Sequence, residues 1–176
     1  AADLYRTITD GTCHVTTART AELVKLMENA YRDVNIAFAN EMSLVSDRLG
    51  INVWEAIDMA NHHPRVNILQ PGPGVGGHCI AVDPWFIVDS APEDTALIQA
   101  ARGVNDSKPR HVVGQILEAV KHHDAPTIAC LGLAYKANID DLRESPAIEI
   151  VRLLAEAKVG DILVVEPNVE ALPEKL

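Results

Sequence analysis

"TAELVKLMENAYRDVNIAFANEMSLVSDRLG", residues 20–50, decides how the rest of the chain is read. Leu23, Leu26, Met27, Ala30, Val34, Ala37, Phe38, Val45 and Leu49 recur at the spacing of one face of an α-helix. Thr20 is placed to cap the start, Glu22 sits in the first turn where a negative charge meets the helix dipole, and Gly50 supplies a stop. The run makes one helix of about seven to eight turns, well above the usual length. Such a helix packs along much of a domain or against a partner subunit. Lys25, Asn29 and Arg32 are spaced four and three apart and fall within an arc of roughly 60°, opposite the apolar stripe. On spacing alone the trio is either a solvated face or a cationic, hydrogen-bonding row for an anion or oxyanion.

Downstream, Asn52 with Glu55 has the form of a capping box and starts a second helix, "VWEAIDMAN" (53–61). The loop from His62 to about Asp83 is rich in Pro and Gly. Its segment "QPGPGVGGHCIAVDPWF" (70–86) begins with two prolines and four glycines in eight residues. Glycine lets backbone take positive φ and come close to another group. The run then delivers Cys79, beside His78 and four residues before Asp83. A lone cysteine is commonly an inert core residue. On a glycine-rich, aspartate-flanked loop it is also a candidate nucleophile, since nearby cations favour the reactive thiolate. Cys13 and Cys130 lack this setting, and Cys130 falls mid-strand and reads as core. "APEDTALIQAARGVN" (91–105) reads as a third helix and "PRHVVGQILEAVKHH" (109–123) as a fourth, with Ser107 as cap and Pro109 near the first turn. Helical organisation therefore runs from about Thr20 to His123, after a short β-rich lead-in over residues 1–16.

Beyond His123 the character changes. Pro126 precedes an apolar β-type run, Thr127–Leu133. Ser145 and Pro146 form a cap and first-turn pair for "AIEIVRLLAEA" (147–157), and "DILVVEP" (161–167) is a second buried strand. Strand, helix and strand make one βαβ unit of a parallel sheet, and one such unit cannot bury itself. The intervening loop holds a single glycine, Gly132, and not the G-x-G-x-x-G of a dinucleotide fingerprint, so this unit is a poor main cofactor site. Lys136 and Arg143 near a helix N-terminus suit a phosphate. With Asp140, Asp141 and Glu144 they would equally make a salt-bridged loop.

The 176 residues suffice for one sizeable domain or two small ones, and 48% hydrophobic content points to a soluble, globular chain. A net charge of −10 disfavours nucleic acid, whose binding is mostly phosphate neutralisation, but leaves room for a small anionic ligand. Three scattered cysteines without a secretory signal read as reduced thiols in the cytoplasm. No apolar run approaches the roughly 20 residues of a membrane span. His62, His63, His78 and Cys79 match no closed zinc spacing, so no metal is expected. Without an initiating Met, the sequence reads as a fragment or a processed product.

Three segments then carry a resemblance. "AELVKLMENAYRDVNIAFANE" (21–41), "GPGVGGHCIAVD" (72–83) and "GLAYKANIDDLRESPA" (132–147) are similar, in this order, to motifs of the UDP-glucose/GDP-mannose dehydrogenase family. "NHHPRVNILQPGPGVGGHCIAVDPWF" (61–86) resembles the branch that oxidises UDP-N-acetyl hexosamines. The resemblance implies an α plus α/β fold. Residues 1–16 would end an NAD-binding domain, 17–124 would form an all-helical central domain with the cysteine, and 125–176 would begin a Rossmann-like UDP-sugar-binding domain. It implies a four-electron, NAD-dependent oxidation of a sugar alcohol to a carboxylate. In that chemistry Cys79 traps the aldehyde as a thiohemiacetal that becomes a thioester. Lys25 serves acid–base work and steadies the oxyanion with Asn29 beside it, and Asp83 positions the lysine or the hydrolytic water. Lys25, Asn29, Arg32, His63, Arg65 and Gly76 match substrate contacts, as do Tyr135 and Lys136 in the last domain. Arg143 matches a position near the cofactor. Some contacts reach across a homodimer built on the long helix. The family's NAD-binding domain is missing here, so these residues alone are expected to be inactive. Alternatives are UDP-N-acetylglucosamine or another nucleotide sugar as substrate, or a non-catalytic helical dimerisation module that only retains the motifs.

Overall fold

The computed structural model describes residues 2–169. Residues 170–176, the end of the expected C-terminal unit, lie outside them. The helices are α1 (Ala2–Tyr5), α2 (Ala18–Leu49), α3 (Val53–Ala60), α4 (Asp83–Ser90), α5 (Ala96–Val120) and α6 (Pro146–Ala157). A 3-10 turn spans Pro92–Asp94, and the strands are β1 (Thr127–Leu131) and β2 (Asp161–Val165). The lead-in is one helical turn followed by irregular chain, not β-structure. Among the described residues no neighbouring strand takes up the backbone hydrogen bonds of residues 13–16, and a strand without a partner is not stable.

Helix α2 begins earlier than expected. Thr17, not Thr20, is the cap: it is extended, and its hydroxyl accepts from the Thr20 amide at 3.2 Å. The helix ends at Gly50 with φ 66°, as its sequence predicts. Its large apolar stripe does not face this chain's own interior. Leu23, Met27, Tyr31, Phe38, Val45 and Leu49 are exposed, whereas Asn29, Asp33, Asn40, Ser43 and Ser46 are buried together with Ala30, Ala37 and Ala39.

What buries that polar face is α5. Asp33 Oδ1 accepts from Arg102 Nη1 at 2.7 Å and from Asn105 Nδ2 at 2.8 Å. Asn40 Nδ2 donates to Asn105 Oδ1 at 2.8 Å, Lys108 Nζ to Ser43 Oγ at 2.8 Å, and Gln115 Nε2 to Asp47 Oδ2 at 2.8 Å. Partners rise together in number, so the two helices run parallel. Burial pushes the Asp33 carboxyl up, against the opposing pull of Arg102. Arg102 also pairs with Asp106 on its own helix.

The third and fourth helices expected from the sequence are one, with Pro109 inside it. Proline removes one i→i−4 bond and disfavours the α conformation of the residue before it. Here Asn105 and Lys108, either side of the missing bond, are both anchored to α2, and those contacts carry the helix through. Its second half turns to a different partner. Val113 forms a core with Ile150 and Leu154 of α6, packed by Ile116, Leu117, Ile128, Cys130 and Ile162. Cys130 is thus a core residue whose burial pushes its thiol up.

β1 and β2 pair in parallel, Thr127 opposite Asp161 through Leu131 opposite Val165. β1 stops two residues short of expectation at Gly132 (φ 92°), whose amide donates to Val165 O at 2.8 Å. Ser145 caps α6 by accepting from the Ala147 amide at 3.2 Å, with Pro146 in the first turn. The sheet face away from α6 leaves Leu131, Leu163 and Val165 exposed.

The buried Lys108 generates a pH prediction. Burial holds its pKa below the ordinary 10.5. In the window below 10.5 the unfolded chain therefore holds more protons at this site than the folded one, and stability rises with pH there. Lys108→Met fills the same space and leaves Ser43 donating to Asn40 O at 2.6 Å. The variant should lose that alkaline rise in urea midpoint. Identical pH slopes for the two proteins would contradict it.

Candidate active site

The N-terminal third of α2 presents Lys25 and Asn29, one helical turn apart. Lys25 Nζ donates to Asn29 Oδ1 at 3.4 Å and to Glu28 Oε2 at 3.3 Å. Asn29 is buried, and its Nδ2 donates to Asp83 Oδ2 at 2.6 Å. Asp83 opens α4, a helix that sequence reading passed over as the end of a loop. Its signal was the Asp-Pro pair: an acidic residue in the first turn, with Pro84 beside it. The Cys79 carbonyl accepts from the Asp83 amide at 2.8 Å and from the Val82 amide at 3.1 Å. This turn puts Cys79 and Asp83 at the four-residue spacing of neighbours on a helical face. Cys79 is exposed. The structure thus gathers Lys25, Asn29, Asp83 and the cysteine loop.

The loop before Cys79 is clamped from both ends. Gly72 N donates to Asn40 Oδ1 at 2.8 Å, and Gly77 N to Arg143 O at 3.0 Å. A Cβ on Gly76 would stand 2.6 Å from Tyr135 Cβ and 2.7 Å from Glu144 O, and Gly77 (φ 81°) faces the Tyr135 ring. Here glycine permits close approach to the chain's own C-terminal loop. Gly72, Gly74 and Gly77 happen to have the G-x-G-x-x-G spacing, but no strand precedes them and no helix follows directly. The spacing carries no dinucleotide signal outside a strand–turn–helix.

That C-terminal loop is itself pinned. Glu166, at the end of β2, accepts from the amides of Leu133 at 2.7 Å and Ala134 at 2.9 Å, which holds its carboxyl down at about 2. Ser145 Oγ donates to Leu133 O at 2.5 Å. Arg143 forks onto Asp141, with Nε 2.9 Å from Oδ1 and Nη2 2.6 Å from Oδ2. The pairing holds the Asp141 carboxyl at about 2 and raises Arg143. Glu144 is left-handed (φ 50°), a strained conformation for a residue with a side chain, at the turn between Arg143 and the α6 cap. Sequence reading missed Glu166; the pairing of Asp141 with Arg143 is the salt-bridged alternative that it leaves open beside the phosphate reading. A carboxylate directly after a strand was the only signal for Glu166.

Other expected site residues lie elsewhere. Arg32 is exposed on α2, and Lys136 is exposed beside Tyr135. His63 and Arg65 sit on a loop closed by Asn61, whose side chain brackets Ile68 (Nδ2 to Ile68 O 3.0 Å, Ile68 N to Oδ1 2.7 Å). Among the described residues no hydrogen bond or ion pair joins His63 or Arg65 to the Cys79 cluster. A cleft of about 480 Å³ opens between the loop, α5 and the first turn of α6, lined by Asp106, Glu144 and Glu149 among others. Lys25, Asn29, Cys79 and Asp83 do not line it. Among the described residues there is no group of three or more His, Cys, Asp or Glu placed to hold a metal, and no helix is long and apolar enough to cross a membrane.

An α2 lysine–asparagine pair joined to an aspartate beside a cysteine loop defines a thiol-bearing site on a helical unit with an appended βαβ unit. Residues 19–107 match the central domain of the UDP-glucose/GDP-mannose dehydrogenase family, and residues 129–176 match its UDP binding domain. The chain belongs to this family. It is similar to the NDP-N-acetyl-D-galactosaminuronic acid dehydrogenase of Ralstonia solanacearum, with 63% identity over 98% of this chain and 41% of the relative. It is also similar to the UDP-N-acetyl-D-mannosamine dehydrogenase of Escherichia coli K12, with 60% identity over 100% of this chain and 44% of the relative. Among solved structures, a UDP-D-ManNAc dehydrogenase from Pyrococcus horikoshii superposes with a TM-score of 0.90 at 46% identity, over 96% of this chain and 41% of that one. The chain spans about two fifths of the length of the curated relatives it matches.

The close approach at Gly76 is directly testable. Gly76→Ala should drive Tyr135 and Glu144 away and speed amide exchange over residues 74–79 and 133–145, while the α2–α5 pairing stays protected. Exchange unchanged at Tyr135 would show that the loop is not docked there.

Proposed function

We propose that this chain is the cysteine-bearing and UDP-binding part of an NAD-dependent dehydrogenase. It would oxidise the C6 alcohol of UDP-N-acetyl-D-mannosamine to the carboxylate of UDP-N-acetyl-D-mannosaminuronate. The observation that carries the reading is the 2.6 Å bond from Asn29 to Asp83, which ties the Lys25–Asn29 pair to the start of α4 and so to Cys79. The substrate is chosen from the relatives' names and the 61–86 segment. The relative named for N-acetyl-D-galactosaminuronic acid, at 63% identity, makes the galacto-configured sugar, which differs at C2 and C4, the second candidate.

The roles follow from the residues' chemistry. Oxidation of the alcohol yields an aldehyde. The Cys79 thiolate adds to its carbonyl carbon, forming a C–S bond and placing charge on oxygen. Lys25 and Asn29 supply the donors that hold that oxygen. Loss of a second hydride from the thiohemiacetal gives a thioester on Cys79. Water then attacks the acyl carbon, the C–S bond breaks, and the thiolate leaves. Asp83, held by Asn29, orients the lysine or that water. Bound NAD supplies the hydride acceptor for both oxidations. Of the described residues Arg143 offers it a donor edge: 62% of its side chain is exposed and Nη1 carries no partner among them. Gly74, Gly76 and Gly77 are closed off by Tyr135 and Pro146 and offer it no cradle.

Residues 17–124 would form the central domain, 125–176 the UDP-sugar domain with Tyr135 and Lys136, and 1–16 the end of an NAD-binding domain. The exposed stripe from Leu23 to Leu49 supports a homodimer along α2, with Arg32, His63 and Arg65 completing a sugar site across it. Phe38→Glu should then halve the mass seen by light scattering, and a mass equal to wild type would rule out this face.

In the full-length protein, UDP-N-acetyl-D-mannosamine should yield two NADH per uronate, and Cys79→Ser should yield no uronate. The 176-residue chain alone should yield no NADH. A full-length protein that oxidises none of a panel of UDP-N-acetyl hexosamines would overturn the reading and favour the non-catalytic helical module.

A further inference from the structure

We infer that Glu166 is a positioning residue of the candidate site: its carboxylate fills an anion nest at the end of β1, where a Rossmann-like unit would take a ligand phosphate, and so docks Tyr135 on the cysteine loop. The docking stands on geometry alone. Its weight in catalysis rests on reading Cys79 as the nucleophile.

In a doubly wound unit the turn after β1 offers its backbone amides to a phosphate. Here Gly132 (φ 92°) turns the chain out of β1, and the next two amides converge on one atom. Leu133 N is 2.7 Å and Ala134 N 2.9 Å from Glu166 Oε2. Successive amides aimed at one point make a concavity for an anion. The chain supplies that anion itself, from the residue directly after β2. The other oxygen, Oε1, accepts from the Asn168 amide at 3.0 Å and from Asn168 Nδ2 at 3.2 Å. Both carboxylate oxygens are therefore engaged, and the amide bonds keep the group ionised, its pKa held down at about 2. A substrate phosphate is then left to other donors, such as the exposed Lys136.

The nest is coupled to the thiol loop in short steps. Leu133 is fully buried, fixed at its amide by Glu166 and at its carbonyl by Ser145 Oγ at 2.5 Å. Tyr135 follows Ala134, and its amide donates to Asp141 O at 3.4 Å. Tyr135 then stands where the cysteine loop has no side chains: a Cβ on Gly76 would lie 2.6 Å from Tyr135 Cβ, and one on Gly77 would lie 2.9 Å from the ring. Gly77 is two residues before Cys79. A shift of Leu133 and Ala134 therefore moves the surface on which the cysteine loop rests. Among the described residues no hydrogen bond joins Glu166 to that loop, so it acts through Tyr135.

The test is chemical rescue, read by amide hydrogen exchange on the full-length protein without substrate. Glu166→Ala vacates the nest and leaves two amides without their acceptor. Exchange should speed by about tenfold or more over residues 133–135 and 74–79, as expected for the loss of hydrogen bonds to a charged group. The α2–α5 pairing should stay protected. Formate, a free carboxylate, should refill the nest and restore both segments saturably, and should leave wild type unchanged. Formate without effect on Glu166→Ala would overturn the inference, as would wild-type exchange over residues 74–79. If the substitution also opens the α2–α5 pairing, Glu166→Gln decides. It keeps the shape and an acceptor oxygen but not the charge, and should show intermediate exchange in both segments. Exchange equal to wild type in Glu166→Gln, or an open α2–α5 pairing there too, would overturn the inference. In turnover Glu166→Ala should slow uronate formation by up to about 100-fold, with formate restoring it, and an unchanged rate would remove Glu166 from the site. The nucleophile reading fails separately, if full-length Cys79→Ser still forms uronate whatever the exchange shows.

Discussion

The buried pairing of Asp33 with Arg102 and Asn105 is the constraint on which the remaining geometry depends. It sits where α2 and α5 pack in parallel, and all three side chains are nearly fully buried. Breaking one partner of such a pair costs about 3–5 kcal/mol because it strands a charge away from water. Its hydrogen bonds also select a register. Only one alignment of the helices lets Asn40 reach Asn105, Lys108 reach Ser43, and Gln115 reach Asp47 together. Asn40 then spends its remaining oxygen on Gly72 and starts the glycine loop along α2. Eleven residues back along the helix, about 16 Å at 1.5 Å per residue, Asn29 receives Asp83 at the loop's other end. Cys79 is placed by these two asparagines, with α5 holding the helix that carries both.

Much of the fold was legible where local chemistry decides it. Gly50, Asn52 and the Ser145–Pro146 pair all mark helix ends in the structure because capping is a contact between near neighbours. What resisted reading depended on distant partners. Thr17 and Thr20 are both competent caps, and sequence alone does not choose between them. Pro109 argued for a break that tertiary anchoring at Asn105 and Lys108 overrides. The inner face of α2 is polar and the outer face apolar, the reverse of what periodicity suggests for a chain packed on itself. Small residues let α5 approach that inner face closely, where Asp33, Asn40 and Ser43 find partners; among the described residues Asp33 Oδ2 and Arg102 Nε are buried without one.

The candidate site was legible in part for the same reason. Lys25 and Asn29 share a helix face by spacing, and that relation needs no other element. Their link to Asp83 required the loop's path, which Asn40 and α5 set. The glycines were visible, but their neighbours were not: Tyr135, Glu144 and Pro146 lie some sixty to seventy residues on in sequence, a separation no periodicity reports. The thiol loop is thus held between a helical unit and a βαβ unit, with Cys79 exposed at the junction. A covalent intermediate at that point would remain tethered through a second oxidation and hydrolysis.

The most direct measurement is the mass of the Cys79 peptide from full-length protein quenched with acid during turnover of UDP-N-acetyl-D-mannosamine and NAD. The predicted result is a transient sugar acyl adduct on Cys79 that disappears as uronate accumulates. Uronate formed at full rate with Cys79 unmodified at every time point would contradict a thioester route and leave Lys25, Asn29 and Asp83 without the reaction assigned to them.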